Sequence, residues 1–196
     1  MTDQGAEGLL SPFLRAKRIQ AVRPYLYGNI LDFGCGSGSL AAYIDQDKYL
    51  GFDLDENVLK VAKQNFIKHR FESDINALRA KYFDTIAILA VIEHVEDPIE
   101  FLSFMKSLLT HTSESKIVCT TPHPSMDCLH GFGASIGLFS KHANEEHKEL
   151  LNYQSLKDIG NKIGLEISYY RRFLLGANQL FIFKPKKDST NDTGDK

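Results

Sequence analysis

Short apolar runs alternate with longer amphipathic stretches along most of the chain. Short runs of this kind are typical of buried parallel strands. The predicted strands are 29–33, 49–53, 70–72, 82–90 and 116–120. Apolar residues recur at helical spacing in the longer stretches. The predicted helices are 12–27, 40–44, 57–66, 98–109 and 155–163. In the helix over 57–66, Val58, Leu59 and Val61 are predicted to face inward.

The C-terminal part of the chain has a different pattern. Residues 166–173 and 179–183 alternate in polarity and are rich in aromatic side chains, which predicts two strands paired as an antiparallel hairpin. The preceding βαβ alternation predicts an α/β fold with a doubly wound, mostly parallel sheet. We expect one domain over 1–184, followed by a disordered polar tail over 185–196.

The composition narrows the class of protein. The 196 residues are 43% hydrophobic and 24% charged, enough for one buried core. The net charge of -2 argues against a nucleic-acid partner, because nucleic-acid-binding proteins usually concentrate a basic excess. The three cysteines form no C-x-x-C pair, and no apolar run approaches the length of a membrane span. We therefore expect a cytoplasmic protein without a metal site or a membrane span.

A glycine-rich turn follows the first predicted strand. Gly34, Gly36 and Gly38 separate this strand from a helix, at the edge of the sheet where doubly wound folds bind ligands. Glycine adopts the backbone conformations that such a turn needs, and it lets a ligand approach closely. Residues 36–41 also match the dinucleotide pattern G-x-G-x-x-G/A. The turn alone is therefore compatible with NAD as well as with other ligands.

Two acids accompany the turn. Asp53 closes the second predicted strand, where its carboxylate is placed to accept hydrogen bonds from the ribose hydroxyls of either ligand. Asp32 directly precedes the turn, where it would repel a pyrophosphate but favour the ammonium and sulfonium groups of S-adenosylmethionine. Its alternative role is to cap the turn by accepting hydrogen bonds from the turn amides. Charge complementarity favours the cationic ligand.

Five motifs carry a resemblance to a known family. They are 30–38, 51–53, Phe83-Asp84, 92–98 and Thr120-Thr121-Pro122. With these motifs the chain resembles the class I S-adenosylmethionine-dependent methyltransferases, specifically the branch that includes ubiquinone and menaquinone biosynthesis methyltransferases. The resemblance implies a Rossmann-like sheet of seven strands in the order 3-2-1-4-5-7-6, with strand 7 antiparallel. The chain departs from the family at His123, where members often carry Asn.

The resemblance also implies which residues bind S-adenosylmethionine, with S-adenosylhomocysteine as the product. Around the methionine it places Gly34, Cys35, Gly36, Gly38, the backbone of Ala90, and Arg18 or Arg15 at the carboxylate. Around the nucleoside it places Asp53 at the ribose, Leu54 on the adenine ring, and Asp74 with Ile75 at the adenine amine.

Methyl transfer from a sulfonium is an in-line displacement, so the protein mainly has to align the acceptor and exclude water. The predicted acceptor atom is an oxygen of a small molecule, with nitrogen or carbon as alternatives. A general base would assist a hydroxyl acceptor, and the candidates are His94, His123 and His147. Residues 121–146 form a long connection that mixes glycine with apolar residues, and we interpret it as a lid or as a surface helix.

Two other functions stay open. The dinucleotide pattern over 36–41 allows an NAD-dependent oxidoreductase, although Asp32 argues against it. The same fold also allows a catalytically silent S-adenosylmethionine-binding scaffold, although the intact turn and both acids argue against that function.

Overall fold

A single seven-stranded sheet organises the protein in its computed structural model, which describes residues 11–124 and 151–186. The strands are β1 Ile30–Phe33, β2 Tyr49–Phe52, β3 Arg70–Glu72, β4 Thr85–Leu89, β5 Lys116–Pro122, β6 Leu165–Phe173 and β7 Asn178–Pro185. Their order is β3-β2-β1-β4-β5-β7-β6. Strands β1 to β5 pair in parallel, and β7 is antiparallel to both β5 and β6. The predicted fold class, strand order and C-terminal hairpin are confirmed.

The described helices are α1 Ser11–Val22, α2 Glu56–Asn65, α3 Pro98–Ser107 and α4 Tyr153–Lys162. Side-chain caps fix where α3 and α4 begin. Asp97 accepts hydrogen bonds from the amides of Ile99 and Glu100, and Asn152 forms a capping box with Ser155. Within residues 11–124 and 151–186, no helix combines the length and apolar character needed to cross a membrane.

Two hydrophobic clusters cover the two faces of the sheet. On one face, Phe33 and Ile88 of the sheet belong to the same cluster as Phe101 of α3 and Leu156 of α4. On the other face, residues of α1 and α2 join a smaller cluster, whose members include Ile19, Val22, Leu59, Ala62, Ala87 and Val118. Successive strand residues point to opposite faces, and β2, β4, β5 and β7 contribute side chains to both clusters. Helices therefore cover the sheet on both faces behind its carboxyl edge.

Some predicted elements differ in extent from the observed ones. Helix α1 ends at Val22, and a short 3-10 turn over Arg23–Tyr25 follows, because Pro24 has no amide to continue the helical hydrogen bonds. The predicted helix over 40–44 is a single 3-10 turn, Ala41–Tyr43. In α2 the prediction for Val61 was wrong, since Val61 is 45% exposed while Ala62 is buried.

The turn between β6 and β7 has a strained backbone. Leu174 and Leu175 both have φ of 53°, in the left-handed region that branched and bulky side chains avoid. The amide of Ala177 donates to the carbonyl of Leu174 at 2.9 Å, and the Arg172 guanidinium donates to the carbonyl of Gly176 at 2.7 Å. These bonds hold the turn in place although the Leu175 side chain is fully exposed.

We expect Leu175→Asn to raise the free energy of unfolding by about 1 kcal/mol, because Asn tolerates the left-handed region and no buried contact is lost. Urea denaturation would measure the change. Ile67→Asn is the matched control, since Ile67 is also largely exposed but its φ is not positive. An equal gain in both variants would refute the role of backbone strain.

Candidate functional site

The candidate residues meet at the carboxyl edge of the sheet. Parallel strands β1, β2, β4 and β5 all end at this edge. Because β7 runs antiparallel to β5, its first residue, Asn178, lies opposite Pro122 at the same edge. Residues that are far apart in the sequence therefore surround one region of the molecule, as is usual for ligand sites of doubly wound sheets.

The glycine turn needs glycine for two different reasons. Gly34, Gly36 and Gly38 have φ of 76°, 52° and 81°, all in the left-handed region. A Cβ on Gly34 would approach a methyl group of Val91 to 2.4 Å, so this position also requires space inside the fold. A Cβ on Gly36 would meet nothing within 4 Å. The Gly36 side of the turn is therefore open to an incoming group.

The turn is bonded to the end of β2. The amides of Gly34 and Cys35 both donate to the carbonyl of Phe52, at 2.8 and 3.0 Å. The next amide, that of Gly36, donates to Asp53 Oδ2 at 2.8 Å. Asp53 Oδ1 accepts from the amide of Asp55 at 3.0 Å. The half-buried Asp53 carboxylate thus lies beside the open glycine.

The residues predicted to surround the adenine follow β2 and β3. Leu54 is 40% exposed, directly after Asp53. Asp74 is exposed and caps the 3-10 turn over Ile75–Leu78 by accepting from the amide of Asn76 at 2.9 Å. Ile75 is partly buried against the larger core cluster. Since β2 and β3 are neighbours, the two groups flank the same part of the edge.

Asp32 is a buried residue of β1 and is not exposed beside the glycine turn. Its side chain is 3% exposed, and the hydroxyl of Tyr49 donates to its Oδ2 at 2.8 Å. The pKa of Asp32 is raised to about 7. Burial is the main cause, the charge of Asp53 adds to it, and the hydrogen bond from Tyr49 opposes both. Burial and the charge of Asp32 also raise the pKa of the Cys35 thiol.

A strained residue ends β4. Ala90 has φ of 58°, a conformation that costs an L-residue about 1–2 kcal/mol. Its amide donates to the carbonyl of Thr120 on β5 at 2.8 Å. Non-glycine residues in this region are frequent at functional sites, where the surrounding structure enforces them. The strain supports the expectation that the backbone of Ala90 faces a ligand.

A polar cluster adjoins Ala90, and the sequence reasoning had not assigned its acid. Arg18 Nε donates to Oδ1 of the buried Asn178 at 3.0 Å. Glu93 lies within electrostatic range of Arg18, and its Oε2 is buried without a hydrogen-bond partner. Burial raises the pKa of Glu93 to about 7, although Arg18 and Thr121 act to lower it. The sequence signal that could have identified Glu93 is an acid placed directly after the apolar strand, inside the motif 92–98.

The candidate bases lie at the ends of β4 and β5. His94 closes the 3-10 turn Ile92–His94, where its amide donates to the carbonyl of Val91 at 2.9 Å. The amide of His123 donates to the carbonyl of Ala177 at 2.8 Å. Desolvation, with a smaller effect of Arg172, lowers the pKa of His123. His147 lies outside the described residues, as do most of the segment 121–146 and most of the tail 185–196.

Comparison with known proteins adds a family match. A family model described as a methyltransferase domain matches residues 9–170. The ubiquinone biosynthesis O-methyltransferase of Haemophilus ducreyi is 33% identical over 116 residues, which cover 52% of this chain and 49% of that protein. The mitochondrial counterpart of Dictyostelium discoideum is 25% identical over 101 residues, covering 41% and 32%. The chain thus spans about half or less of the length of these curated relatives.

Solved structures share the fold. Magnesium protoporphyrin IX methyltransferase from Synechocystis, with bound SAM, superimposes with a TM-score of 0.63 at 16% identity, covering 94% of this chain and 87% of that one. A SAM-dependent methyltransferase from Archaeoglobus fulgidus gives a TM-score of 0.62 at 21% identity, covering 88% and 93%. At these identities the likeness concerns the fold alone.

The raised pKa of Asp32 predicts a pH dependence of stability. The folded protein keeps a proton on Asp32 that the unfolded chain releases, so this stabilisation is complete below the unfolded pKa and is lost as pH rises through about 7. We expect Asp32→Asn to gain on the order of 2–4 kcal/mol relative to wild type between pH 5 and pH 8. Urea denaturation at several pH values measures the difference.

Tyr49→Phe is the companion variant. It removes the hydrogen bond that favours the ionised form of Asp32, so it should destabilise the protein more at pH 8 than at pH 5. Parallel stability curves for wild type and Asp32→Asn would show that Asp32 does not titrate in this range.

Proposed function

The chain belongs to the family of methyltransferase domains, and from this premise we propose that it is an S-adenosylmethionine-dependent methyltransferase acting on an oxygen of a small molecule. The observation that carries the proposal is the open side of Gly36 next to the Asp53 carboxylate. A side chain at Gly36 would occupy the space that a nucleoside ligand needs to reach Asp53.

The residues at the edge fit this ligand. Each Asp53 oxygen accepts one amide hydrogen bond and has further lone-pair capacity for the two ribose hydroxyls. Leu54 offers exposed apolar surface for the adenine ring. Asp74, with Ile75, is assigned to the adenine amine, since its carboxylate is exposed beside β2. Asp32 stays buried and bonded to Tyr49 of β2. The Asp53 carboxylate thus matches the ribose hydroxyls as hydrogen-bond donors, and the aliphatic side chain of Leu54 matches the flat adenine ring.

We assign the methionine part of S-adenosylmethionine to the glycine turn and to the end of β4. Gly34, Cys35, Gly36 and Gly38 wrap it by shape, because the first two amides are already used by Phe52. Ala90 presents its strained backbone to it, and Arg18, held at Nε by Asn178, offers its guanidinium to the carboxylate. When bound, S-adenosylmethionine supplies a methyl group on a positively charged sulfur that leaves as a neutral thioether.

The acceptor atom is proposed from chemistry and from relatives. The curated relatives are named O-methyltransferases, which favours oxygen over nitrogen or carbon. For a hydroxyl acceptor, His94 and His123 lie at the ends of β4 and β5, where a general base would contribute roughly 100 to 10,000-fold. His147 and the segment 121–146 as a lid stay predictions. The acceptor itself is a small molecule bound beside β4 and β5.

Binding of S-adenosylhomocysteine tests the cofactor site directly. We expect calorimetry to detect binding by the wild type and Asp53→Ala to weaken it about 100-fold, because two hydrogen bonds to a charged group are lost. Asp47→Ala is the matched control, since Asp47 is exposed and precedes β2 at the opposite edge of the sheet. No binding by folded wild type at millimolar ligand would sink the proposal, as would full affinity in Asp53→Ala.

A panel of acceptors tests the transferred atom. With S-adenosylmethionine labelled in its methyl group, we expect label on phenols and catechols and little on matched anilines. Asp53→Ala serves as the background control. Label confined to amines would overturn oxygen as the acceptor atom. Absence of label on every compound, in protein that binds S-adenosylhomocysteine, would instead favour a catalytically silent binding module.

A further inference from the structure

Arg18 and the carboxyl group of Glu93 lie within electrostatic range of each other without forming an ion pair. Their electrostatic interaction affects the pKa of both groups. Lys184 and Glu114, by contrast, do form an ion pair, at 3.6 Å. Two opposite charges that are close but not in contact leave a gap between them. Such a gap suits a ligand that carries both charges itself.

Each member of the pair is held from another element. Arg18 extends from α1, and its Nε is fixed by the buried Asn178 of β7. Glu93 lies in the 3-10 turn after β4, and Thr121 of β5 stabilises its ionised form. Four elements of the fold thus hold Arg18 and Glu93, which gives the two side chains defined positions before any ligand arrives.

Two buried side-chain oxygens at this edge of the sheet have no partner among the described residues. Glu93 Oε2 and Thr120 Oγ1 are both buried and make no hydrogen bond. Buried polar atoms are rarely left in this state, because their desolvation is costly unless a hydrogen bond compensates it. The Glu93 oxygen offers an acceptor to a donor group. An ammonium, with three donors and a positive charge, matches it.

We propose that Glu93 accepts the ammonium group at the amino-acid end of S-adenosylmethionine, and that Glu93 and Arg18 together clamp this zwitterion. The inference rests on the proposed function, which already assigns Arg18 to the carboxylate of the same end. Glu93 lies three residues after Ala90, whose backbone is assigned to the methionine. Asp32 is 3% exposed and already bonded to Tyr49, so it is less available to the ammonium.

Binding of the ammonium group beside Glu93 releases a proton from its carboxyl group. Glu93 is largely protonated in the free protein at pH 6.5, because its pKa is about 7. An ammonium beside it favours the carboxylate, so binding releases the proton to solvent, and affinity rises with pH. The groups facing Glu93 are Arg18 of α1, with Arg15 behind it, and Cys119 and Thr121 of β5. Asp32 titrates in the same range and has to be controlled.

Calorimetry of S-adenosylhomocysteine binding to the full chain, in buffers of different ionisation enthalpy, measures the released proton. At pH 6.5 we expect the wild type to release roughly half a proton or more per ligand, and its affinity to rise roughly tenfold from pH 6 to pH 8. Glu93→Gln should abolish the release and weaken binding at pH 8 by roughly 10 to 100-fold. Asp32→Asn should keep the release.

Matched ligands make the test independent of any variant. 5′-Methylthioadenosine lacks the whole amino-acid end, so its binding should release no proton and should not respond to Glu93→Gln. The deaminated analogue of S-adenosylhomocysteine keeps the carboxylate, and it too should bind without release. These comparisons hold in wild-type protein even if a variant folds poorly.

Three results would overturn the assignment. The first is proton release that persists in Glu93→Gln, and the second is release that disappears in Asp32→Asn instead. The third is equal release with the deaminated analogue. Each of them leaves binding of S-adenosylhomocysteine intact, whereas failure of the proposed function removes binding altogether.

Discussion

The carbonyl of Phe52 accepts two successive amides of the glycine turn, and the next amide goes to Asp53. This junction fixes the turn against the end of β2 and sets the three left-handed glycine conformations. It also uses up the amides that would otherwise reach toward a ligand. The site is therefore built on the shape of the turn and on side chains from neighbouring strands, and every other candidate residue is positioned relative to this junction.

Burial explains why the two acids at the edge behave differently from ordinary surface carboxylates. Asp32 and Glu93 both have a pKa near 7, chiefly because burial disfavours their charged forms. Their partners differ, since a tyrosine hydroxyl bonds Asp32 and a guanidinium faces Glu93 without touching it. Asp32 is hydrogen-bonded inside the protein, while Glu93 has one oxygen without a partner. This difference is the reason for proposing Glu93, and not Asp32, as the acid that contacts the ligand.

The sequence predicted the sheet well because strands and helices follow local periodicity. The run 70–72 and the strand order were correct, and so was the hairpin of β6 and β7. Short 3-10 turns such as Ala41–Tyr43 were called helix, because three residues cannot establish a period. Val61 was wrong because α2 packs on the sheet through Leu59 and Ala62, and only the docking angle of the helix decides this.

The contacts of the candidate site were predictable only where they join residues of adjacent strands. The Gly36 to Asp53 bond joins two motifs that flank adjacent strands, so their proximity could be foreseen. The approach of Glu93 to Arg18 depends on how α1 crosses the sheet, which no local pattern specifies. The hydrogen bond from Tyr49 to Asp32 could have been predicted, because a buried acid needs a partner and Tyr49 lies on the neighbouring strand.

The bond from Arg18 to Asn178 joins residues 160 positions apart, the first helix and the last strand. During synthesis the glycine turn and its junction with β2 can form once the first strands have emerged. Arg18, by contrast, has no Asn178 to hold it until β7 has been made and has inserted between β5 and β6. A growing chain can thus form the bond from Gly36 to Asp53 early, whereas Arg18 is fixed only when the sheet is completed.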